Sequence, residues 1–234
     1  MKNLIKPSWV QKGIIALMIF TAAFHLSAGP GNPTQSIKNE KTMKTVKKKK
    51  EKAGYGNGFS LEQMVGTIEA IQSNPEIAKF EFRVNNQWIN GGHNRSWIQD
   101  FYGGGQEDTS RKKPFVYDNS EPPILLGANE GANPVEYILH GLAGCMTTTL
   151  VLHAAANGIS LEKVSSHLEG DLDVQGFLGL DESVRNGYQD IRVSFQIEGD
   201  LGEEEKAKLE SFVKKSPVFD IVTNRVPVHV KLNF

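Results

Sequence analysis

The stretch that decides the fold is NPVEYILHGLAGCMTTTLVLHAAANG, residues 133–158. Asn133-Pro134 is typical of a helix start, and Gly158 is typical of a helix end. Between them, residues 142–156 are apolar or small almost all round, which predicts a helix buried on every side. Each of the two internal glycines costs the helix about 1 kcal/mol relative to alanine. We therefore expect close packing or a functional site along this helix.

The sequence on either side predicts an α+β fold with mostly antiparallel sheet. Ser60 is expected to cap a first helix with Gln63 as its capping-box partner, and Asn74-Pro75 is expected to end it. Alternating segments bounded by glycine turns predict strands on both sides of the central helix. The predicted strands cover residues 79–89, 95–102, 113–118, 165–174, 189–199 and 226–234, and an amphipathic helix covers 202–217.

The N-terminal region differs in composition from the rest of the chain. Three lysines precede an apolar run ending in small residues, so residues 1–29 are predicted to be a signal peptide or N-terminal anchor. We expect export to the periplasm or cell envelope. Translation from Met43 would instead give a cytoplasmic protein. Residues 30–58 are predicted to be a basic flexible linker, and residues 59–234 the folded domain.

Charge and cysteine content exclude several classes of function. Residues 1–55 hold eleven basic and two acidic residues, whereas residues 56–234 hold fifteen basic and twenty-five acidic ones. Because the folded part is acidic, it is not expected to bind nucleic acid. The single cysteine rules out an internal disulfide and a cysteine-rich metal site. No GxGxxG or P-loop pattern occurs, and no cofactor is predicted.

Cys145 is the candidate reactive group within the central helix. At 100° per residue its face carries Thr148 and Thr149, whose hydroxyls could reach a thiolate or a substrate, with His153 near the edge. The other interpretation is that Cys145 is an inert core residue.

Two further polar residues share this helix. Glu136 and His140 are four residues apart on the opposite face, which favours a structural hydrogen bond over an acid–base pair. A metal site of His140, Cys145 and His153 is excluded because one of the three faces away.

The stretch NPVEYILHGLAGCMTTTLVLHAAANGI resembles the signature helix of the OsmC/Ohr family, with its NPxE-type start twelve residues ahead of the cysteine. EDTSRKKPFVYD and EPPILLG before it, and GDLDVQGFLGLDESVRNGYQDIRVSF after it, are similar to a subgroup of OsmC-like proteins that lacks the second cysteine. The resemblance covers residues 59–234. It implies an OsmC-like fold in which antiparallel sheets wrap a long buried central helix within an intertwined homodimer.

The resemblance also implies thiol peroxidase chemistry in defence against oxidative stress. Cys145 matches the peroxidatic cysteine, but Ser216 stands where the family has its resolving cysteine. Val135 stands at the family's activating glutamate, so Glu136 is displaced by one residue, about 100° around the helix. Arg95 or Arg111 is the candidate for the activating arginine.

Two functions remain open at this point. The first is reduction of organic hydroperoxides by Cys145, with an external thiol as reductant. The second is a non-enzymatic homodimer that binds a small apolar ligand, with Cys145 as core packing. Reaction of the native thiol with an alkylating reagent would separate them, because only the first predicts a reactive Cys145.

Overall fold

The computed structural model describes residues 54–234, so the predictions for a signal peptide, an anchor and a start at Met43 lie outside the described residues. The strands are β1 (Tyr55–Gly56), β2 (Phe59–Ser60), β3 (Glu81–Phe82), β4 (Asn85–Asn90), β5 (His93–Ile98), β6 (Phe101–Gly103), β7 (Gln106–Asp108), β8 (Phe115–Asn119), β9 (Lys163–Asp171) and β10 (Asp190–Glu198). The helices are α1 (Leu61–Ser73), α2 (Pro134–Ala156), α3 (Val174–Phe177), α4 (Glu203–Val213) and α5 (Pro217–Thr223). The predicted α+β class with antiparallel sheets is confirmed.

The central helix α2 starts and ends where its caps predict. The Asn133 side chain accepts a hydrogen bond from the Val135 N–H at 3.0 Å, and the Glu136 carboxylate accepts one from the Asn133 N–H at 2.8 Å. Gly158 follows the helix with φ +70°, a conformation that glycine adopts without strain. The first helix is also capped as predicted, since Ser60 Oγ accepts from the Gln63 N–H at 3.3 Å.

The prediction that α2 is buried on every side is wrong within a single chain. Its buried residues are Leu142, Met146, Leu150 and Ala154, which lie on one face at four-residue intervals, and Ala155, which lies next to Gly56 of β1. Leu150 and Ala154 form the core together with Ile159 and with Leu209 and Phe212 of α4. Gly144 and Thr148 are exposed, and Ile138 is 48% exposed. Within residues 54–234, only α2 is long and apolar enough to cross a membrane, and a core helix passes the same test.

The β9–β10 hairpin covers the buried face of α2. The two nine-residue strands pair antiparallel along their whole length, from Asp190 opposite Asp171 to Glu198 opposite Lys163. Burial alternates along both strands, so the apolar positions face α2 and the polar positions face solvent. Gly170 is required in β9 because a Cβ there would come within 2.4 Å of the Tyr188 ring.

The N-terminal strands form separate small sheets, β4–β5–β8 and β3–β6–β7. Strand β4 is exposed throughout, and its Trp88 is 69% exposed. Tyr137 in the first turns of α2 donates a hydrogen bond to the backbone carbonyl of Asp118 on β8 at 2.9 Å. These sheets are therefore attached to α2 near its start while leaving much apolar surface open.

The predicted linker extends too far into the folded domain. Residues 54–58, assigned to the linker by composition, belong to the folded part, where β1 pairs with β2. Asn57 Nδ2 donates to the carbonyl of Ile159 at 2.9 Å, and Asn57 Oδ1 accepts from the Leu161 N–H at 2.9 Å. These contacts tie the start of the domain to the end of α2.

The C-terminal part of the sequence also departs from prediction. Residues 226–234 were expected to form the last strand, but they form no ladder and are exposed throughout. A strand needs a partner strand, and within residues 54–234 this segment pairs with none. Helix α5 was not predicted, although Ser216-Pro217 is a typical helix start.

Candidate functional site

Cys145 lies at the border between the buried and the open face of α2. It is a free, half-buried thiol next to buried Met146 in sequence, and exposed Gly144 precedes it. Within residues 54–234, no hydrogen bond to its sulfur is formed and no group of three potential metal ligands occurs. Cys145 thus lies next to the side of α2 that its own chain does not cover.

The two threonines lie where the helical spacing predicts. Because α2 is continuous through Ala156, Thr148 and Thr149 lie about one turn beyond Cys145. Thr148 is exposed and Thr149 is half-buried. Their hydroxyls therefore border the same open face as the thiol.

His153 is placed in a packing contact. Its ring stacks on Phe212 of α4 with centroids 5.3 Å apart. Burial lowers the pKa of His153, and the nearby positive charge of Lys215 lowers it further. A neutral imidazole against a phenyl ring contributes to the α2–α4 contact, two turns from the thiol.

Arg95 is held by a carboxylate on the neighbouring strand. Arg95 Nε and Nη2 lie 2.8 and 3.2 Å from the two carboxylate oxygens of Asp118, and His93 Nε2 lies 2.8 Å from the first. These hydrogen bonds, Arg95 first, lower the pKa of Asp118. The sequence did not single out Asp118 or His93. Their register on β5 and β8 brings them together, which no local pattern shows.

Arg111 contacts other residues of the N-terminal region. Its Nη1 donates to the carbonyl of Gln99 at 2.8 Å, and its guanidinium lies 4.9 Å from the ring centre of Phe101 and 5.3 Å from that of Phe115. Within the described residues, neither Arg95 nor Arg111 forms a hydrogen bond with Cys145. One chain therefore does not bring the predicted arginine and thiol together.

Glu136 has a structural role at the helix start. Its carboxylate completes the cap by accepting from the Asn133 N–H, and the predicted bond to His140 is not formed in the described structure. His140 instead lies edge-on to the Tyr137 ring, with centroids 6.5 Å apart. The Glu136 carboxylate is thus hydrogen-bonded at the start of α2, about two and a half turns before Cys145.

Ser216 also caps a helix. It is fully buried, and its Oγ accepts a hydrogen bond from the Phe219 N–H at 3.2 Å at the start of α5. Ser216, which the sequence resemblance aligns with a resolving cysteine, is therefore a structural N-cap in this chain.

An apolar groove of about 450 Å³ lies between α2, β10 and α4, and we name it the α2–β10–α4 groove. It is lined by Met146, Leu150, Val193, Phe195, Ile197, Leu201, Lys206, Leu209, Glu210 and Val213. The sequence did not predict it, because it is formed by residues from three elements that are distant along the chain. The groove reaches Met146 of α2, which directly follows Cys145 in the sequence.

Solved structures similar to this chain share a low sequence identity with it. An OsmC-like protein from Mycoplasma pneumoniae is 19% identical, with 62% of this chain and 89% of that chain covered and a TM-score of 0.48. An organic hydroperoxide resistance protein OsmC from Legionella pneumophila is 19% identical, with 61% and 88% covered and a TM-score of 0.43. An OsmC-like protein of unknown function from Vibrio cholerae is 11% identical, with 59% and 90% covered and a TM-score of 0.41.

A search of the curated proteins finds no match to this chain. Part of the chain matches a family model. Residues 127–231 fit the family model OsmC, described as OsmC-like protein, and this range contains all of α2 with Cys145 and the β9–β10 hairpin that packs on it. Over this range, a little under half of its length, the chain is similar to the OsmC family.

Proposed function

We propose that this protein reduces organic hydroperoxides with Cys145 as its single reactive thiol and with an external thiol as reductant. The observation that carries the proposal is the position of Cys145: a free thiol at the border of the open face of the family's helix, with Thr148 and Thr149 one turn away. The N-terminal sequence favours action in the periplasm or cell envelope.

The chemistry needs one protein thiol and two external ones. The Cys145 thiolate attacks the distal peroxide oxygen, the O–O bond breaks, and the alkoxide takes up a proton, so that sulfenic acid and an alcohol form. An external thiol then condenses with the sulfenic acid to a mixed disulfide and water. A second external thiol releases Cys145 and leaves as a disulfide with the first. The hydroperoxide is reduced by two electrons, and the external thiols are oxidised.

A homodimer is part of the proposal. A half-buried thiolate is stabilised by a nearby cation, and within residues 54–234 neither Arg95 nor Arg111 forms a hydrogen bond with Cys145. An arginine from a second copy is therefore the expected source of the cation. The exposed Ile138 and Trp88 also support a second copy, because monomers rarely leave so much apolar surface open.

The second candidate function is binding of a small apolar ligand without catalysis. The α2–β10–α4 groove favours it, since most of the side chains that line the groove are apolar. The structural roles of Glu136 and Ser216 also fit a domain that has kept the fold but not the chemistry.

The test is reaction of the native protein with a few equivalents of cumene hydroperoxide in the presence of dimedone, followed by mass spectrometry. We expect a rapid dimedone adduct on Cys145 and none in Cys145→Ser. The same chain unfolded in guanidinium gives the rate for an unassisted cysteine. A native thiol that reacts no faster than the unfolded one would overturn the peroxidase and favour the ligand-binding function.

A further inference from the structure

The small β3–β6–β7 sheet has an exposed aromatic face. Phe82 of β3 lies opposite Phe101 of β6 with ring centroids 5.5 Å apart, and Phe80 lies 5.9 and 6.5 Å from these two rings. Gly103 of β6 is required here, because a Cβ would come within 2.3 Å of the Phe80 ring. Phe80 is nevertheless 49% exposed and Phe82 is 70% exposed. The sheet thus holds these rings together while leaving the outer two open to solvent.

A basic loop borders this aromatic face. Arg111, Lys112 and Lys113 follow one another between β7 and β8. The Arg111 guanidinium lies 4.9 Å from the ring centre of Phe101 and 5.3 Å from that of Phe115, so it connects the exposed Phe115 with the other rings. Lys112 and Lys113 are exposed and form no ion pair within residues 54–234. We name this surface the aromatic–basic patch and define it by Phe80, Phe82, Phe115, Arg111, Lys112 and Lys113.

The charge of the aromatic–basic patch is opposite to that of the domain around it. Residues 56–234 hold fifteen basic and twenty-five acidic residues, and 111–113 is their longest basic run. Asp108, on the aromatic face of the sheet, is buried and hydrogen-bonded, and Glu107 lies on the opposite face because side chains alternate along β7. Even with the exposed Asp100 counted against the three cations, the patch is positive.

We propose that the aromatic–basic patch binds an anionic phospholipid surface, with its exposed phenyl rings among the headgroups and its lysines next to the phosphates. Apolar side chains gain free energy on burial at the boundary of headgroups and acyl chains, and lysines are attracted to anionic lipid. The N-terminal sequence supports this partner independently. Residues 1–29 are predicted to be a signal peptide or anchor, and the four lysines 47–50 end four positions before Gly54.

Nucleic acid is the other polyanion that aromatic and basic side chains bind, and it fits this patch less well. Stacking of bases needs free ring faces. Here Phe80, Phe82 and Phe101 lie against one another with interplanar angles of 18° to 34°, and Arg111 lies over the Phe101 ring. The excess of acidic residues in the domain also repels a long polyanion. A lipid surface needs only exposed ring edges and a few nearby cations.

The test reports on the patch itself in the full chain, because an N-terminal anchor would carry the whole chain onto a vesicle whichever face touched the lipid. In a chain carrying Cys145→Ser, a single cysteine is introduced by Phe82→Cys or, as the matched control, by Glu107→Cys on the opposite face of the same sheet. Each is labelled with NBD, whose emission shifts to the blue and brightens in apolar surroundings. The probes are vesicles of phosphatidylcholine with and without phosphatidylglycerol, and a poly(U) oligonucleotide.

We expect a blue shift from position 82 on vesicles that contain phosphatidylglycerol, a much smaller one on phosphatidylcholine alone, and none from position 107. Equal shifts at the two positions, or none at position 82, would overturn the inference. An emission from position 82 that is already blue-shifted without lipid would show that protein covers this face, and would also overturn it. A shift with poly(U) and none with vesicles would assign the patch to nucleic acid instead.

A second pair of variants tests the basic loop. Each lysine near an anionic surface is worth roughly fivefold in binding. In the chain labelled at position 82, Lys112→Gln with Lys113→Gln should therefore raise the lipid concentration for half of the NBD change by at least about tenfold.

Lys214→Gln with Lys215→Gln removes the same charge from an exposed pair after α4 and should change that concentration by less than about twofold. Equal effects of the two pairs would show that the total charge of the chain, and not this patch, sets the binding, which would overturn the inference. The test does not involve Cys145, so its outcome is independent of the proposed function.

Discussion

Arg95 and Asp118 lie directly opposite each other on β5 and β8, and both oxygens of the Asp118 carboxylate contact the Arg95 guanidinium, at 2.8 and 3.2 Å. The backbone carbonyl of the same aspartate accepts the Tyr137 hydroxyl hydrogen bond from α2. One residue thus fixes the candidate arginine and links the N-terminal sheet to the helix that carries Cys145. The arginine is positioned by its cross-strand partner, and its guanidinium is not free.

The first prediction concerns Asp118→Asn. The variant keeps the shape of the side chain but removes the charge that binds Arg95 and His93, so we expect a loss of about 1 kcal/mol in the free energy of unfolding. This value is below the usual range for hydrogen bonds to charged groups because both partners are partly exposed to water. Urea denaturation at pH 7 measures it. Glu107→Gln, which breaks the more exposed Arg83 pair, is the control and is expected to have a smaller effect.

The same variant has a predicted pH dependence. Because the pKa of Asp118 is lowered in the folded state, its contribution to stability is present above the unfolded pKa of about 4 and is lost as the pH falls through the lower folded value. The stability difference between wild type and Asp118→Asn should therefore shrink as the pH falls from 5 toward 3. A difference that stays constant over this range would argue against the ion pair as its source.

The second prediction concerns Asn57, whose side chain bonds to the backbone of Ile159 and Leu161 about a hundred residues away. Asn57→Ala leaves both backbone groups without this partner and places alanine at φ +49°, so we expect a loss of about 2 kcal/mol or more. Asn57→Gly loses the same bonds without the backbone strain and should be less destabilised. In both variants, hydrogen exchange of the Leu161 amide should accelerate. Unchanged exchange would show that the bond to Leu161 does not protect this amide.

Local signals in the sequence were sufficient for much of the fold. The caps Asn133 and Ser60 act through neighbouring backbone groups, so their sequence patterns located both helix starts. Burial of α2 depends on what packs against it, and composition alone could not show that Gly144 and Thr148 face away from the core. The segment 226–234 has the alternation of a strand, but a strand also needs a partner, and within residues 54–234 it pairs with none.

The candidate site was predictable only in part. Helical spacing placed Thr148 and Thr149 next to Cys145, because that relation is internal to α2. The environment of Arg95 depends on the register of β5 with β8, and the groove depends on three elements packing together. Neither relation leaves a periodic pattern along the chain.

The third prediction concerns Ser216, which the resemblance places at the resolving position and the structure places at the N-cap of α5. Ser216→Ala removes the acceptor for the Phe219 N–H inside the protein, so we expect a loss of about 1 kcal/mol in stability. The rate of Cys145 oxidation by hydroperoxide should stay within about twofold, because the hydroxyl takes no part in the thiol steps. Ser211→Ala, at an exposed position of α4, is the control and should change neither quantity. A large fall in oxidation rate with unchanged stability would assign Ser216 to the site.

The last prediction separates packing from chemistry at His153. Its pKa is lowered by burial against α4, so protons bind more readily to the unfolded chain, and stability should fall as the pH drops below the unfolded value of about 6.5. His153→Phe keeps a ring against Phe212 and removes the titrating group, so denaturation curves between pH 7.5 and 5 should show a weaker pH dependence than those of wild type. His167→Gln, at a side chain that is 75% exposed, is the control and should retain the wild-type profile. Alkylation of Cys145 at pH 7 should be unchanged in His153→Phe, since a neutral imidazole two turns away supplies no charge to the thiolate. A clear drop in the alkylation rate would instead show that His153 increases the reactivity of the Cys145 thiol.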